Sequence, residues 1–208
     1  MTNKMRGKFI TIEGGEGVGK STNMQFIENY LVDKKIQVEV TREPGGTELG
    51  ETLREIMLDP NQNSICSDTE LMLMFAARAQ HLNQKILPAL EKGLWVLCDR
   101  FTDATYAYQG GGRGIDLSRI ETLENWVQGS LRPDLTILFD MPVELGMSRA
   151  ASRSAPDRFE QEKLDFFERV RTTYRDRALQ NTSQYKIIDA SKELSEVQKQ
   201  ISTILDNL

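Results

Sequence analysis

The chain has 208 residues, of which 26 are Lys or Arg and 31 are Asp or Glu, for a net charge of -5. A chain of this length buries roughly 70% of its unfolded surface without staples, and its acidic balance weighs against a nucleic-acid or membrane-surface binder. A single histidine, His81, and two cysteines, Cys66 and Cys98, exclude a His- or Cys-rich zinc cage and a disulfide framework. Chemistry must then come from Arg, Lys, Asp, Glu, hydroxyls and backbone amides.

Taken in chain order, the polar stretch 1–8 leads into an apolar run at 9–13, which is a strand and not the long apolar core of a signal peptide. No apolar run reaches the length of a membrane span, and cysteines without evident partners point to a reducing cytoplasm. Further β-rich runs follow at 38–42, 94–99, 135–140 and 185–189. The runs at 94–99 and 135–140 are continuously apolar, the pattern of strands buried on both faces of a parallel sheet. Helical spacing predicts segments at 21–34, 68–91, 119–131, 143–151, 161–181 and 194–208. The first carries Met24, Ile27, Tyr30 and Leu31 on one face, and the second is expected to kink or end early at Pro88. Strands alternating with helices predict a layered α/β fold with right-handed crossovers, and no linker divides residues 1–208. Glycine clusters at 14–19, 45–46 and 110–114 mark breaks, as does the polar stretch 149–160. Ligands in such folds bind outside the carboxyl ends of the strands.

Gly14, Gly15, Glu16, Gly17, Val18, Gly19, Lys20 and Ser21 fit the pattern G-x-x-x-x-G-K-S, between a strand and an amphipathic helix. Small residues let backbone N–H groups face phosphate oxygens, and the helix adds its positive end. Lys20 would reach the β- and γ-phosphates and the Ser21 hydroxyl would ligate Mg²⁺. A guanine-reading Asn-Lys-x-Asp segment is absent, so a small kinase with an acceptor site fits better than a GTPase. For that site, Asp99 closes the third strand, where it could hold the hydration of Mg²⁺, take a proton or cap a helix. Arg100 after it can grip a phosphate. Arg42, Glu43 and Pro44 close the second strand, and Arg54 on the next helix either faces the same cleft or solvent.

Phe75, Arg78 and His81 share one side of the long helix, although spacing alone puts Phe75 in the core. Thr105, Tyr108 and Gln109 precede the 110–114 glycines in what reads as a mobile loop, and Gln109 can donate to and accept from a base edge. Arg149, Arg153 and Arg158 cluster in the break at 149–160, which suits a lid that neutralises transferring phosphates.

These motifs together, from Glu13 through Thr22, Thr41 through Thr47, Phe75 through Arg78, Asp99 through Phe101, Ala107 through Gly114 and Asp157 through Glu160, resemble the bacterial thymidylate kinase (dTMP kinase) family nearly end to end. The resemblance implies a three-layer phosphate-loop kinase fold, with a five-stranded parallel sheet flanked by helices and a lid at about 149–160. It implies transfer of the ATP γ-phosphoryl group to dTMP with Mg²⁺, in a cytoplasmic homodimer that engages neither nucleic acid nor membrane. Carried over by residue, 14–22 and Arg149 would bind ATP, with Ser21 and Asp99 the metal side chains. Arg100 would hold the dTMP phosphate, with Arg42, Glu43, Pro44 and Arg54 nearby. Arg78 and Gln109 would read thymine, with Phe75, or the preceding Met74, stacked on it. Thr105 would line the pocket, Tyr108 would lie against the sugar, and His81 would neighbour the pocket without acting as a catalyst. Lys20, Glu16, Asp99, Arg100 and Arg153 form the expected catalytic set. The phosphate loop carries Glu16 and no arginine, which assigns the catalytic arginine to the lid, with Arg153 favoured. A kinase for another small acceptor and a non-enzymatic nucleotide-binding switch are the alternatives.

Arg153→Ala is expected to lower kcat by about a thousandfold, the scale of an arginine that stabilises transferring phosphoryl charge, with dTMP affinity nearly intact. Steady-state kinetics paired with dTMP binding checks this, and a kcat close to wild type would remove Arg153 from the reaction.

Overall fold

The computed structural model describes residues 6–62, 64–152 and 157–208. Five parallel strands form one sheet in the order β2-β3-β1-β4-β5. They are β1 (Phe9–Gly14), β2 (Val38–Arg42), β3 (Trp95–Asp99), β4 (Leu135–Asp140) and β5 (Tyr185–Asp189). All five coincide with the β-rich runs to within one residue at either end. Every residue of β1 is buried, whereas β2 and β5, at the sheet edges, each bury only one residue fully. The central position accounts for this complete burial, since β1 pairs with β3 on one side and β4 on the other.

The helices are α1 (Lys20–Asp33), α2 (Glu48–Leu58), α3 (Ser67–His81), α4 (Leu87–Glu91), α5 (Thr102–Thr105), α6 (Leu117–Gln128), α7 (Val143–Ala151), α8 (Leu164–Gln180) and α9 (Leu194–Asp206). On one face of the sheet, Ile10, Ile12, Leu97 and Ile137 pack against Met24, Ile27 and Leu31 of α1 and Val197, Ile201 and Leu205 of α9. On the other face, Phe9, Val96 and Cys98 meet Leu82, Ile86 and Leu90. Leu138 joins the aromatic face of α8, Phe166, Phe167 and Tyr174. Burying this much apolar side-chain surface, at roughly 25 cal/mol per Å², is the main drive for the layers.

Two expectations from the sequence change. The helix through 68–91 does not break at Pro88. Instead, α3 widens into a π-helical turn at Leu82–Ile86, closed by a hydrogen bond from Leu87 N–H to Leu82 O. Pro88 follows directly at the start of α4, and the widened turn accommodates a residue that has no N–H to return to the preceding turn. The glycines at 110–114 do not form a mobile loop either. Tyr106–Gly112 continues α5 as a second π-helical turn packed on α8. A methyl at Gly112 would lie 2.4 Å from the Phe166 ring, and one at Gly111 would lie 2.1 Å from Thr173 Oγ1. These glycines allow close packing of two helices rather than motion.

The helix α7 meets the phosphate loop backbone to backbone. A Cβ on Gly146 would sit 2.5 Å from the carbonyl oxygen of Glu16. Alanine is favoured over glycine within a helix by about 1 kcal/mol, but forcing a group into a filled contact costs about 1–3 kcal/mol. Gly146→Ala is therefore expected to lower the melting midpoint, by about 2–4 °C for each kcal/mol at this chain size, and to reduce the further stabilisation by ATP. Thermal melts with and without ATP measure both, and wild-type values for the two would show that the loop yields without cost.

Candidate active site

The carboxyl ends of β1, β2 and β3 are tied together by backbone bonds. Arg100 N–H donates to Ile12 O at 2.9 Å, and Glu43 N–H donates to Asp99 O at 2.9 Å. The phosphate loop leaves β1 here, with Gly17 and Gly19 at φ values of 68° and 85°. Lys20 Nζ donates to Gly14 O at 3.1 Å and to Gly15 O at 2.7 Å. Burial, then the neighbouring Arg100 charge, pulls its pKa down to about 8 against the opposing pull of Glu16, Asp99 and Glu13.

Arg100 takes a left-handed backbone conformation, φ 65°, which turns the chain sharply after β3 and aims the side chain back toward the loop. Its Nη2 donates to Glu16 Oε1 at 2.6 Å, and its guanidinium lies 4.8 Å from the Tyr108 ring centre. Burial opposes its charge, but Glu16, Tyr108, Tyr174 and Asp99 outweigh it and hold the pKa above the ordinary arginine value. Tyr108 OH also donates to Glu16 Oε1, at 2.6 Å.

Beside this group opens a cleft of about 660 Å³, lined by Glu16, Glu43, Pro44, Arg54, Met74, Arg78, Arg100, Thr105, Tyr108, Gln109, Asp157 and Phe159 among others. Arg78, 2% exposed, is fixed in its wall: Nε donates to Glu43 Oε2 at 2.7 Å, and Nη2 donates to Thr105 Oγ1 at 2.9 Å and Phe101 O at 3.2 Å. Among the described residues its Nη1 is buried without a hydrogen-bond partner. Glu43 is steadied from behind by His81, whose Nδ1 lies 2.9 Å from Glu43 Oε1 and whose Nε2 lies 2.7 Å from Thr41 Oγ1. Arg54 Nη1 donates to Pro44 O at 3.0 Å.

Most of the expected acceptor-site residues thus converge, with two exceptions. Phe75 does not face the cleft; it packs with Leu71, Tyr106, Ile115 and Ile120, its ring 4.8 Å below the Arg78 guanidinium, while Met74 lines the cavity. Adjacent helical residues point about 100° apart, so only one of the pair can face the cleft. Arg42 points away to an exposed ion pair with Glu51 at 2.8 Å. His81 stands behind the wall and not on it. Arg158 is buried at the root of the 149–160 segment, donating to Glu70 Oε2 at 2.6 Å and Met57 O at 2.7 Å, which removes it from a charge-neutralising lid. Arg149 closes α7 and donates to Ala190 O at 3.2 Å. Arg153 lies outside the described residues. Sequence reading assigned no role to Glu13, Glu70 or Tyr174. A carboxyl ending the apolar run Phe-Ile-Thr-Ile was a usable signal for Glu13, whereas Tyr174 depends on where α8 crosses the sheet and carried none.

The oxygen donors suit Mg²⁺. Among the described residues no three His, Cys, Asp or Glu side chains gather into a metal cage, but Asp99 Oδ1 is buried without a partner and the Ser21 hydroxyl opens α1. One carboxylate and one hydroxyl match an ion held mainly by phosphates and water.

Residues 12–201 match the family model described as Thymidylate kinase. A thymidylate kinase of Ectopseudomonas mendocina is 57% identical over 204 residues, covering 98% of this chain and 97% of that protein. One from Ruthia magnifica subsp. Calyptogena magnifica is 58% identical over 203 residues, covering 98% and 99%. The crystal structure of thymidylate kinase from Ehrlichia chaffeensis superposes with a TM-score of 0.79 at 31% identity, covering 97% of this chain and 99% of that one.

Glu13 gives the site a pH dependence. Phe101 N–H donates to its Oε1 at 2.7 Å and Tyr174 OH to its Oε2 at 2.8 Å. Burial, then the nearby Asp103, pushes its pKa from 4.5 up to about 8, despite Tyr174 and Arg100. The folded chain therefore holds a proton here that the unfolded chain releases near 4.5. The stability this confers is full below that value and is lost as pH rises toward about 8. The melting midpoint of wild type relative to Glu13→Gln is expected to fall between pH 5 and pH 8. A difference that stays flat across that range would show that Glu13 is ionised throughout.

Proposed function

The chain belongs to the thymidylate kinase family, and from that premise we propose how its cleft transfers the γ-phosphoryl group of ATP to dTMP, giving dTDP and ADP in dTTP synthesis. The observation that carries the reading is Arg78 Nη1, a buried donor with no partner in the cleft wall. A buried N–H left unpaired costs about 1–3 kcal/mol, and the O4 carbonyl of thymine would satisfy it. Gln109, on the same cleft, meets the adjacent N3 position. Met74 lies against the base, with Phe75 supporting Arg78 from beneath, and Thr105 completes the pocket.

At the other end of the cleft Arg100 receives the acceptor phosphate, with Arg54 adding charge and Glu43 and Pro44 shaping the wall. Tyr108 lies against the sugar. Glu16 orients both Arg100 and Tyr108, which makes it a positioning group where donor and acceptor meet. Lys20 and the backbone amides of 14–22 hold the ATP phosphates; the ammonium exchanges its bonds to Gly14 O and Gly15 O for phosphate oxygens. Arg149 contributes to the ATP site from α7. When bound, Mg²⁺ would supply neutralising charge to the ATP phosphates, and Ser21 and Asp99, directly or through water, are the side chains that would hold it. The acceptor is already a phosphate dianion and scarcely needs a general base, so positioning and charge neutralisation account for most of the rate. Residues 149–160 act as a lid, with Arg153 supplying charge to the transferring group.

A homodimer follows from the resemblance, and Trp126, 81% exposed on α6, is a large apolar side chain that a second copy would cover. The free thiols of Cys66 and Cys98 suit the reducing cytoplasm. Among the described residues no helix is long and apolar enough to cross a membrane.

A coupled ADP assay comparing dTMP, dUMP, dGMP and thymidine tests the acceptor, with dTMP expected to be preferred; equal turnover of dGMP would overturn the base reading. Arg78→Ala is expected to raise KM for dTMP by about ten- to a hundredfold, the worth of a hydrogen bond from a charged donor, with a smaller effect on kcat. Unchanged dTMP affinity by calorimetry would remove Arg78 from base recognition.

A further inference from the structure

One end of the Gln109 side chain is already committed. Its Nε2 donates to Glu70 Oε1 at 2.8 Å. Glu70 is buried, 1% exposed, and its other three hydrogen bonds all come from guanidinium groups. Arg113 Nε donates to Oε1 at 3.3 Å, and Arg113 Nη2 and Arg158 Nη2 donate to Oε2 at 3.4 and 2.6 Å. A guanidinium can only donate, so both Glu70 oxygens serve as acceptors. The end of Gln109 that faces Oε1 is then its NH₂ group, because an amide orients according to its hydrogen-bonding neighbours. The carbonyl Oε1 is left for the cleft that the residue lines.

We propose that Glu70 determines base selectivity by fixing which end of Gln109 meets the acceptor. Held in this way, Gln109 presents only an acceptor. Thymine offers the matching N3–H. Cytosine has a lone pair at N3, which would oppose the Gln109 carbonyl and leave a buried acceptor unpaired, while its C4 amino group would face Arg78 in place of O4. Uracil keeps N3–H, and Glu70 does not distinguish it from thymine. Glu70 is a positioning residue: Arg113 and Arg158 hold it, it holds Gln109, and it does not touch the base. The inference rests on the reading above that the base lies against Gln109 and Arg78.

The test is the ratio of the dCMP and dTMP dissociation constants, measured by calorimetry with dCMP displacing dTMP. In Glu70→Gln the ratio is expected to fall about tenfold, near the low end for an unpaired buried acceptor, because an amide at position 70 can accept from or donate to Gln109 and lets it turn over. Glu70→Asp keeps the charge for Arg113 and Arg158 but withdraws it from Gln109. It covers the case in which the amide variant fails to fold, and a smaller fall is expected. Gln109→Ala should lower the ratio as well, and adding Glu70→Gln to it should bring no further fall. A ratio that falls in Gln109→Ala but holds in both Glu70 variants would overturn the role of Glu70 alone, as would a further fall in the double variant. A ratio unchanged in Gln109→Ala would overturn the placement of the base, and this inference with it.

Discussion

The distance between the donor and acceptor ends of the site is set by the way the end of β1 is fastened to the chain leaving β3. The carboxyl group of Glu13 makes that fastening, receiving Phe101 N–H on one oxygen and the Tyr174 hydroxyl on the other. The first bond fixes the turn that carries Arg100, and the second brings α8 against the root of the phosphate loop. An ionised carboxylate there would repel the phosphates that the loop attracts. Burial favours the protonated form, so Glu13 can serve as a clamp with little electrostatic cost to binding.

The same economy of charge runs through the cleft. The chain is acidic as a whole, yet its cleft is built on arginines, and two of them are each held by a carboxylate: Arg100 by Glu16 and Arg78 by Glu43. Such pairs add little net stability once desolvation is counted, but removing one partner is expensive, about 3–5 kcal/mol for a buried pair. What they provide is direction. A guanidinium held on one edge has its remaining N–H groups aimed before any ligand arrives, so less ordering is left to do at the transition state. His81, the single histidine, takes part only as the brace behind Glu43.

The strands β3 and β4 were legible because burial on both faces leaves an unbroken apolar signature that needs no knowledge of neighbours, and β1, β2 and β5 as β-rich runs between helical segments. The phosphate loop was legible because its backbone geometry requires glycine at fixed spacing. Arg100, Arg78, Thr105, Tyr108 and Gln109 were identified from strand ends and motif resemblance, and they meet on one cleft. Residues whose part depends on the angle between two elements were not legible. Phe75 and Met74 differ by one helical step, and the packing of α3 on α6 and the Tyr106–Gly112 turn decides which of them faces inward. Arg158 reads as a solvated lid residue until Glu70, 88 positions away, is seen beside it. The glycines at 110–112 read as slack, because a sequence does not say that Phe166 and Thr173 fill the space a side chain would need.

The π-helical turn at Tyr106–Gly112 has a consequence for the length of the segment as well as its composition. Gln109 lies within the turn and Arg113, four residues on, just beyond it, and both reach Glu70. The wider turn, closed by Arg113 N–H on Tyr108 O, carries one residue more than an ordinary helical turn. Each residue of an ordinary helix advances the side-chain direction by about 100°. Losing one residue between them would change their relative direction by one such step while leaving every motif before it intact. The number of residues in the segment therefore belongs to the active site as much as Tyr108 and Gln109 do.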